Sequence, residues 1–189
     1  MWDDKHARYS TTSWIDRPTV FAEEVLSFLP KKGKILELGC GQGQDSRFFG
    51  EKGYIITAID FSPGGLSIAH EKLPKELTNT VEFKQVDISK QLPFEDATFD
   101  IVYSHLALHY FDRDTTEKIF SEIYRVLKPG GVLALIINSV HDPEFLTGEK
   151  IEEGYRLVHG MRKRYFSAKS LGDFTVAFDH PVFAGSRQS

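Results

Sequence analysis

Gly39, Gly41 and Gly43 stand at alternate positions in Gly39-Cys40-Gly41-Gln42-Gly43, between the apolar run Lys34-Ile35-Leu36-Glu37-Leu38 and a helical pattern. A strand that delivers glycines to a helix N-terminus makes a place where a ligand can touch backbone. Glycine lacks the Cβ that would hold the ligand away, and it tolerates positive φ. The first helical turn adds unsatisfied N–H groups suited to a carboxylate or phosphate. The plainer reading is a tight strand-to-helix turn with no ligand. Two spacing tests narrow the chemistry. A dinucleotide fingerprint needs Gly-x-Gly-x-x-Gly, and its last position here is Gln44. This counts against a nicotinamide-dependent oxidoreductase. A phosphate loop needs Gly-Lys-Ser/Thr, which does not follow.

Two acids stand where the same ligand could collect them. Asp60 ends the apolar run Tyr54 to Ile59, and a carboxylate there can accept from both hydroxyls of a ribose. Asp87 follows Val81 to Val86, placed for an exocyclic amine if an adenine reaches that edge. Phe61 and Ile88 come next in sequence and offer apolar faces to a flat base. Either acid alone is equally well a solvated turn or a helix cap. Together with the glycine loop they describe a nucleoside site, because ligands of open α/β sheets bind at the carboxyl ends of strands.

Other residues carry weaker signals. His105 and His109 would share one face if their segment is helical, as a catalytic base pair or metal site, or as capping or packing histidines. His141 falls in a segment without clear pattern. Tyr9 and Trp14 precede the first strand and could form a lid, or simply pack as an N-terminal arm. Arg162-Lys163-Arg164, beside Tyr165-Phe166, could face an anionic substrate or be a solvated basic surface. Cys40 is the one cysteine, so no intrachain disulfide and no thiolate zinc cluster can form; no metal is expected.

The elements that must position these groups alternate short β-branched runs with longer helical patterns, the mark of a βαβ sheet. A helix is expected over Thr19 to Leu29, a strand over 34–38, a helix over Gln44 to Lys52 and a strand over Tyr54 to Ile59. Ser62 can cap the next helix, with Pro63 at its first position. Val81 to Val86 alternates apolar and polar residues, as a strand nearer the sheet edge does. A strand over Phe99 to Ser104, a helix from about Thr115 to Leu127 and the apolar strand Val132 to Ile137 complete the core. Beyond Asn138 the pattern weakens, to a helix near 151–162 and one strand around Phe174–Phe178.

The 189 residues suit one domain with a sizeable core. A hydrophobic share of 41% with 26% charged residues is ordinary for a soluble globular chain. The formal charge of −4 argues against a large nucleic-acid surface. The charged N-terminus does not read as a signal peptide, and no apolar run is long enough to span a bilayer. A cytoplasmic protein, away from membranes, is the expectation.

Taken in order, these segments resemble the motifs of class I S-adenosylmethionine (SAM)-dependent methyltransferases. Leu36-Glu37-Leu38-Gly39-Cys40-Gly41-Gln42-Gly43 is similar to the first motif, Ala58-Ile59-Asp60-Phe61-Ser62 to the acidic second and Val86-Asp87-Ile88 to the third. Phe99-Asp100-Ile101-Val102-Tyr103-Ser104-His105 resembles the fourth, and Arg125-Val126-Leu127-Lys128-Pro129-Gly130-Gly131 the entry to the fifth strand. The resemblance covers about residues 33–138. It implies an open, mostly parallel, doubly wound (Rossmann-like) α/β sheet and SAM as cofactor. It also implies roles: Glu37 and the backbone of Gly39, Cys40, Gly41 and Gly43 at the methionine moiety, and Asp60 on the ribose. Phe61, Asp87 and Ile88 would lie at the adenine and Ser104 beside the methionine end. The fourth motif lacks the Asn/Asp-Pro-Pro-aromatic sequence of amino-methylating DNA enzymes.

The expected layout is a single domain over 1–189, with an arm or lid over 1–30, a cofactor-binding core over 33–138 and a substrate side over 139–189. The family usually ends in a sixth strand and an antiparallel seventh inserted beside the fifth. The short C-terminal end here leaves truncation, a short final strand or a partner's edge as alternatives, and an incomplete edge would favour a homodimer. The expected activity is methyl transfer from SAM to a small-molecule acceptor. The alternatives are a SAM- or nucleotide-binding module without catalysis and, with less support, an NAD-dependent oxidoreductase.

Overall fold

The structure is a computed structural model, and it describes residues 13–176, 178 and 182–186. Its main sheet has six strands: β1 (Lys34–Leu38), β2 (Ile55–Asp60), β3 (Val81–Gln85), β4 (Phe99–His105), β5 (Leu127–Ile137) and β9 (Val182–Ser186). Their order is β3-β2-β1-β4-β5-β9, and every neighbouring pair is parallel. The chain steps outward from β1 in one direction and then crosses to β4 on its other side. The β1–β4 boundary is therefore the switch point at which open sheets of this kind bind ligands.

Helices cover both faces. Ile35, Ile56, Ala58, Ile101, Tyr103 and Ala134 pack on one face beneath α1 (Val20–Val25), α2 (Gln44–Glu51) and α3 (Pro63–Glu71). Leu36, Leu38, Ile59, Val102, Leu133 and Leu135 pack on the other against α4 (Arg113–Val126). Burial on both faces explains why β1 and β4 read as continuous apolar runs, while edge strand β3 alternates. The caps are local chemistry: Thr19 accepts from the Ala22 N–H, Ser62 from Gly65 and Asp112 from Thr115. No described helix is long and apolar enough to cross a membrane.

Beyond β5 the structure corrects two expectations. Residues 149–164 form an antiparallel sheet and no helix: β6 (Glu149–Glu152), β7 (Tyr155–Val158) and β8 (Met161–Arg164), preceded by the single turn α5 (Glu144–Thr147). The turns are made by Gly154, at φ 71°, and by the pair His159 and Gly160, at φ 48° and 76°. Two successive positive φ angles mark the turn that matches strand twist in a two-residue hairpin. Phe174 lies in a helix, α6 (Ala168–Thr175), where a strand was expected; Ser167 and Ser170 cap each other at its start. The ring of Phe174 stacks on Phe120 with centroids 5.6 Å apart, so a tertiary contact overrides its strand preference. The last described strand, β9, is short. It lies parallel beside β5, where the family pattern would put an antiparallel strand.

Candidate functional site

A cavity of about 500 Å³ opens at the carboxyl ends of β1 to β4, within the range of small-molecule sites. The loop after β1 contributes Gly39 and Gly41, and β2 ends in it with Asp60 and Phe61. The turn after β3 supplies Val86, Asp87, Ile88 and Ser89. The far wall is the segment leaving β4, with His105, Leu106, Ala107, Tyr110 and Phe111. The lining is mostly apolar, with two carboxylates on one side.

Asp60 is held before any ligand arrives. One carboxylate oxygen accepts the Gly41 N–H at 2.8 Å and the other the Ser62 N–H at 2.8 Å. Each oxygen offers about two acceptor sites, so each keeps capacity for one more donor. Such a fixed pair suits vicinal hydroxyls. Asp87 directs one oxygen to Ser89, accepting its N–H at 2.9 Å and its hydroxyl at 2.6 Å. Its second oxygen takes part in neither bond and is available to an amine. Phe61 is 62% exposed at the mouth, an apolar ring facing open space.

The glycine loop works by shape. Gly39 and Cys40 both donate to Ile59 O, at 2.8 and 3.0 Å, Gly41 donates to Asp60, and Gly43 donates to Cys40 O at 2.9 Å. The first three N–H groups tie the loop to β2 and that of Gly43 closes the loop on itself, so these four are not a free anion nest. The close approach is also internal. A Cβ on Gly39 would stand 2.2 Å from that of Ala107, and one on Gly43 would stand 2.6 Å from the Phe83 ring. Gly43, at φ 70°, begins α2, and Asp45 already brings an acid to that helix's first turn.

Several expected ligand residues lie beneath the cavity, outside its wall. Glu37 is buried, accepts a hydrogen bond from the Ser46 hydroxyl, and is pushed well above the usual carboxyl range by burial and then by the Asp45 charge. Cys40 is buried too, and burial raises its thiol, so it is not a thiolate nucleophile. Ser104 is fully buried and donates to Leu38 O at 3.1 Å. Together with Gly43, these residues support the floor.

Sequence reasoning does not single out the network that fixes this floor. Asp45, 2% exposed, accepts the Thr19 N–H at 2.7 Å, the Thr19 hydroxyl at 2.8 Å and the Tyr103 hydroxyl at 2.7 Å. Burial and the Asp45 charge push the Tyr103 phenol far up, so it stays a donor. Arg47 donates to Ile15 O at 2.7 Å and to Gln42 O at 2.8 Å. The segment at 13–25 is thereby bonded to the helix that follows the glycine loop. The one signal was an Asp in the first turn of a helix, which any solvated helix also shows. Tyr110 and Phe111, which also line the cavity, fall between the expected strand and the expected helix, in a segment with no pattern to mark them.

That segment separates the two histidines. β4 runs through His105, Leu106 takes a φ of 55°, and His109 sits in a short 3₁₀ turn at 108–110. His105 lines the cavity, stacked on Phe21 with centroids 6.5 Å apart. His109 is buried against Tyr110, at 4.2 Å, and is not among the cavity residues. They do not share a helical face, and the described residues contain no cluster of metal-binding side chains. His141 is exposed. Tyr9 lies outside the described residues, and Trp14 is described only by its backbone, in the turn Ser13–Asp16.

Of the basic triplet, Arg162 is exposed, and the other two residues differ from the expectation. Lys163 and Arg164 are 7% and 4% exposed, paired with Glu144 and Glu152 respectively, so they are neither a solvated surface nor free for an anion.

Residues 36–135 match the family described as a methyltransferase domain. The chain is 34% identical over 115 residues to a malonyl-[acyl-carrier protein] O-methyltransferase of Enterobacter lignolyticus, covering 60% of this chain and 43% of that protein. It spans about half the length of the relatives it matches, 48%, 43% and 50% in three of them. A solved SAM-dependent methyltransferase of Methanosarcina mazei superposes with a TM-score of 0.71 at 27% identity, covering 82% of each chain. A Burkholderia thailandensis 1,6-didemethyltoxoflavin-N1-methyltransferase, solved with 1,6-didemethyltoxoflavin and S-adenosylhomocysteine bound, superposes with a TM-score of 0.67. At 20% identity, over 93% of this chain and 71% of that one, it shows a shared fold.

Proposed function

Because this chain belongs to the class I SAM-dependent methyltransferase family, we propose that it transfers a methyl group from SAM to a small-molecule acceptor. The observation that carries this reading is Asp60, clamped by two backbone N–H groups with one acceptor site left on each oxygen. The residues present fit the nucleoside end of SAM: Asp60 for the ribose hydroxyls, the free oxygen of Asp87 for the exocyclic amine, and Phe61 and Ile88 for the base. When bound, SAM supplies a methyl on a sulfonium, a leaving group that needs no acid.

The protein's task is then to hold a nucleophile in line and keep water out. The wall of Leu106, Ala107, Tyr110 and Phe111 serves the second need. For an acceptor that keeps its proton at neutral pH, His105 is the base we assign, since it lines the cavity at the end of β4. His109, buried and outside the wall, is assigned a packing role. Residues 33–138 are assigned the cofactor half and 139–189 the acceptor side. A small acceptor suits the acidic chain and a cavity of this size; the Enterobacter relative is named for O-methylation of malonyl-[acyl-carrier protein], a small group on a carrier.

The test is incubation with isotopically labelled SAM and a metabolite extract, followed by mass spectrometry. A labelled product one methylene heavier than an extract component is expected. Binding of SAM with no labelled product over a broad extract would point to a binding module without catalysis.

A further inference from the structure

The small sheet β6–β8 lies outside the residues that match the family, yet its side chains hold the far wall of the cavity. Tyr155 Oη donates to Tyr110 O at 3.1 Å, and Arg164 Nε donates to Phe111 O at 3.0 Å. Glu152 accepts the Arg113 N–H at 2.8 Å and also a guanidinium N–H of Arg164. Tyr155 and Arg164 face each other across β7 and β8, with the guanidinium carbon 5.1 Å from the Tyr155 ring centroid. Both are nearly buried, at 5% and 4% exposure.

The wall needs outside support. Between β4 and α4 the chain makes one left-handed residue, Leu106, and a three-residue 3₁₀ turn whose His109 has non-helical angles. A turn of that length satisfies few of its own carbonyls. That of Tyr110 accepts from Tyr155 and that of Phe111 from Arg164, with the Thr116 hydroxyl a longer second donor to Phe111 at 3.3 Å, while the same two residues line the cavity.

We propose that Tyr155 and Arg164 are positioning residues of the cofactor site, fixing the Tyr110–Phe111 wall opposite Phe61 and Ile88. These two side chains then link the small sheet to the cofactor site. The proposal rests on the reading of this cavity as the SAM nucleoside site.

The test is calorimetric titration of S-adenosylhomocysteine and of adenosine into the full chain and its variants Tyr155→Phe and Arg164→Lys. Lys150→Gln, in the exposed Lys150–Glu153 pair of the same sheet, is the control. Titrations are run well below each variant's melting temperature, where a merely structural residue leaves affinity unchanged. Tyr155→Phe and Arg164→Lys should each weaken both ligands by about three- to tenfold, the size of one lost hydrogen bond, and the control should not. Amide exchange at 106–113 in the ligand-free protein should rise in the same two variants. If Arg164→Lys does not fold, Tyr155→Phe carries the test, since it removes one hydroxyl. Unchanged affinities and unchanged exchange, with tight binding by the wild type, overturn the positioning role and leave the cofactor reading intact. Raised exchange with no binding by the wild type overturns the cofactor reading, and the cofactor role of these two residues with it.

Discussion

At the scale of single residues, the site is built by fixing groups before a ligand arrives. Asp60 illustrates it on the surface and Glu37 beneath it. Burial and the Asp45 charge keep the Glu37 carboxyl protonated well above its usual range. The folded state therefore holds a proton that the unfolded chain releases. Stability from this group is present below the ordinary carboxyl pKa and is lost as pH rises through the raised folded value. Glu37→Gln should accordingly melt higher than wild type at neutral pH, with the difference closing as pH falls below the ordinary carboxyl range. Melting curves across pH check this, and a constant difference would contradict it. His105 belongs at this scale too. His105→Gln should lower turnover by about a hundredfold or more while S-adenosylhomocysteine affinity stays near wild type; single-turnover kinetics with an identified acceptor give the readout. The acids at strand ends were legible because position and chemistry coincide in the sequence. The burial of Glu37, Cys40 and Ser104 was not, since their depth depends on Ser46, Ile59 and Leu38 from other elements.

Among the elements, the glycine loop, α2 and the segment at 13–25 act as one unit. Asp45 ties the cap of α1 and a phenol of β4 to the start of α2. Asp45→Ala would leave the Thr19 N–H without its acceptor and the Tyr103 hydroxyl with the Thr19 hydroxyl at 3.2 Å in its place, costing about 1–3 kcal/mol, as urea unfolding would measure. Gly43→Ala would force a side chain into the left-handed region and against Phe83, costing at least about 2 kcal/mol by the same assay. The strands and helices of 33–138 were readable because burial on both faces leaves long apolar runs closed by Gly, Ser and Asp. The small sheet was not. Its strands have four residues each, too few to show alternation. One of its turns is His159-Gly160, which lacks the Asn-Gly or Asp-Gly signal. α6 was hidden by Phe174, Thr175 and Val176, residues that favour strands; it is Phe174 that packs, on Phe120 and Phe166, while Val176 just past the helix stays exposed.

For the whole molecule, the parallel sheet brings the loop after β1, the acids of β2 and β3 and the exit of β4 to one edge, and the small sheet closes that edge from a distance in sequence. The glycine loop gives this arrangement its closeness and Asp60 gives it its polarity, so the central claim is that the cavity takes the nucleoside of SAM. Titration of S-adenosylhomocysteine into the wild-type chain and Asp60→Ala, with NADH titrated in parallel, tests it most directly. One saturable site is expected in the wild type, weakened about 10- to 100-fold by the substitution, with no competing NADH binding. Equal affinity in both proteins, or tight NADH binding without S-adenosylhomocysteine binding, would contradict it.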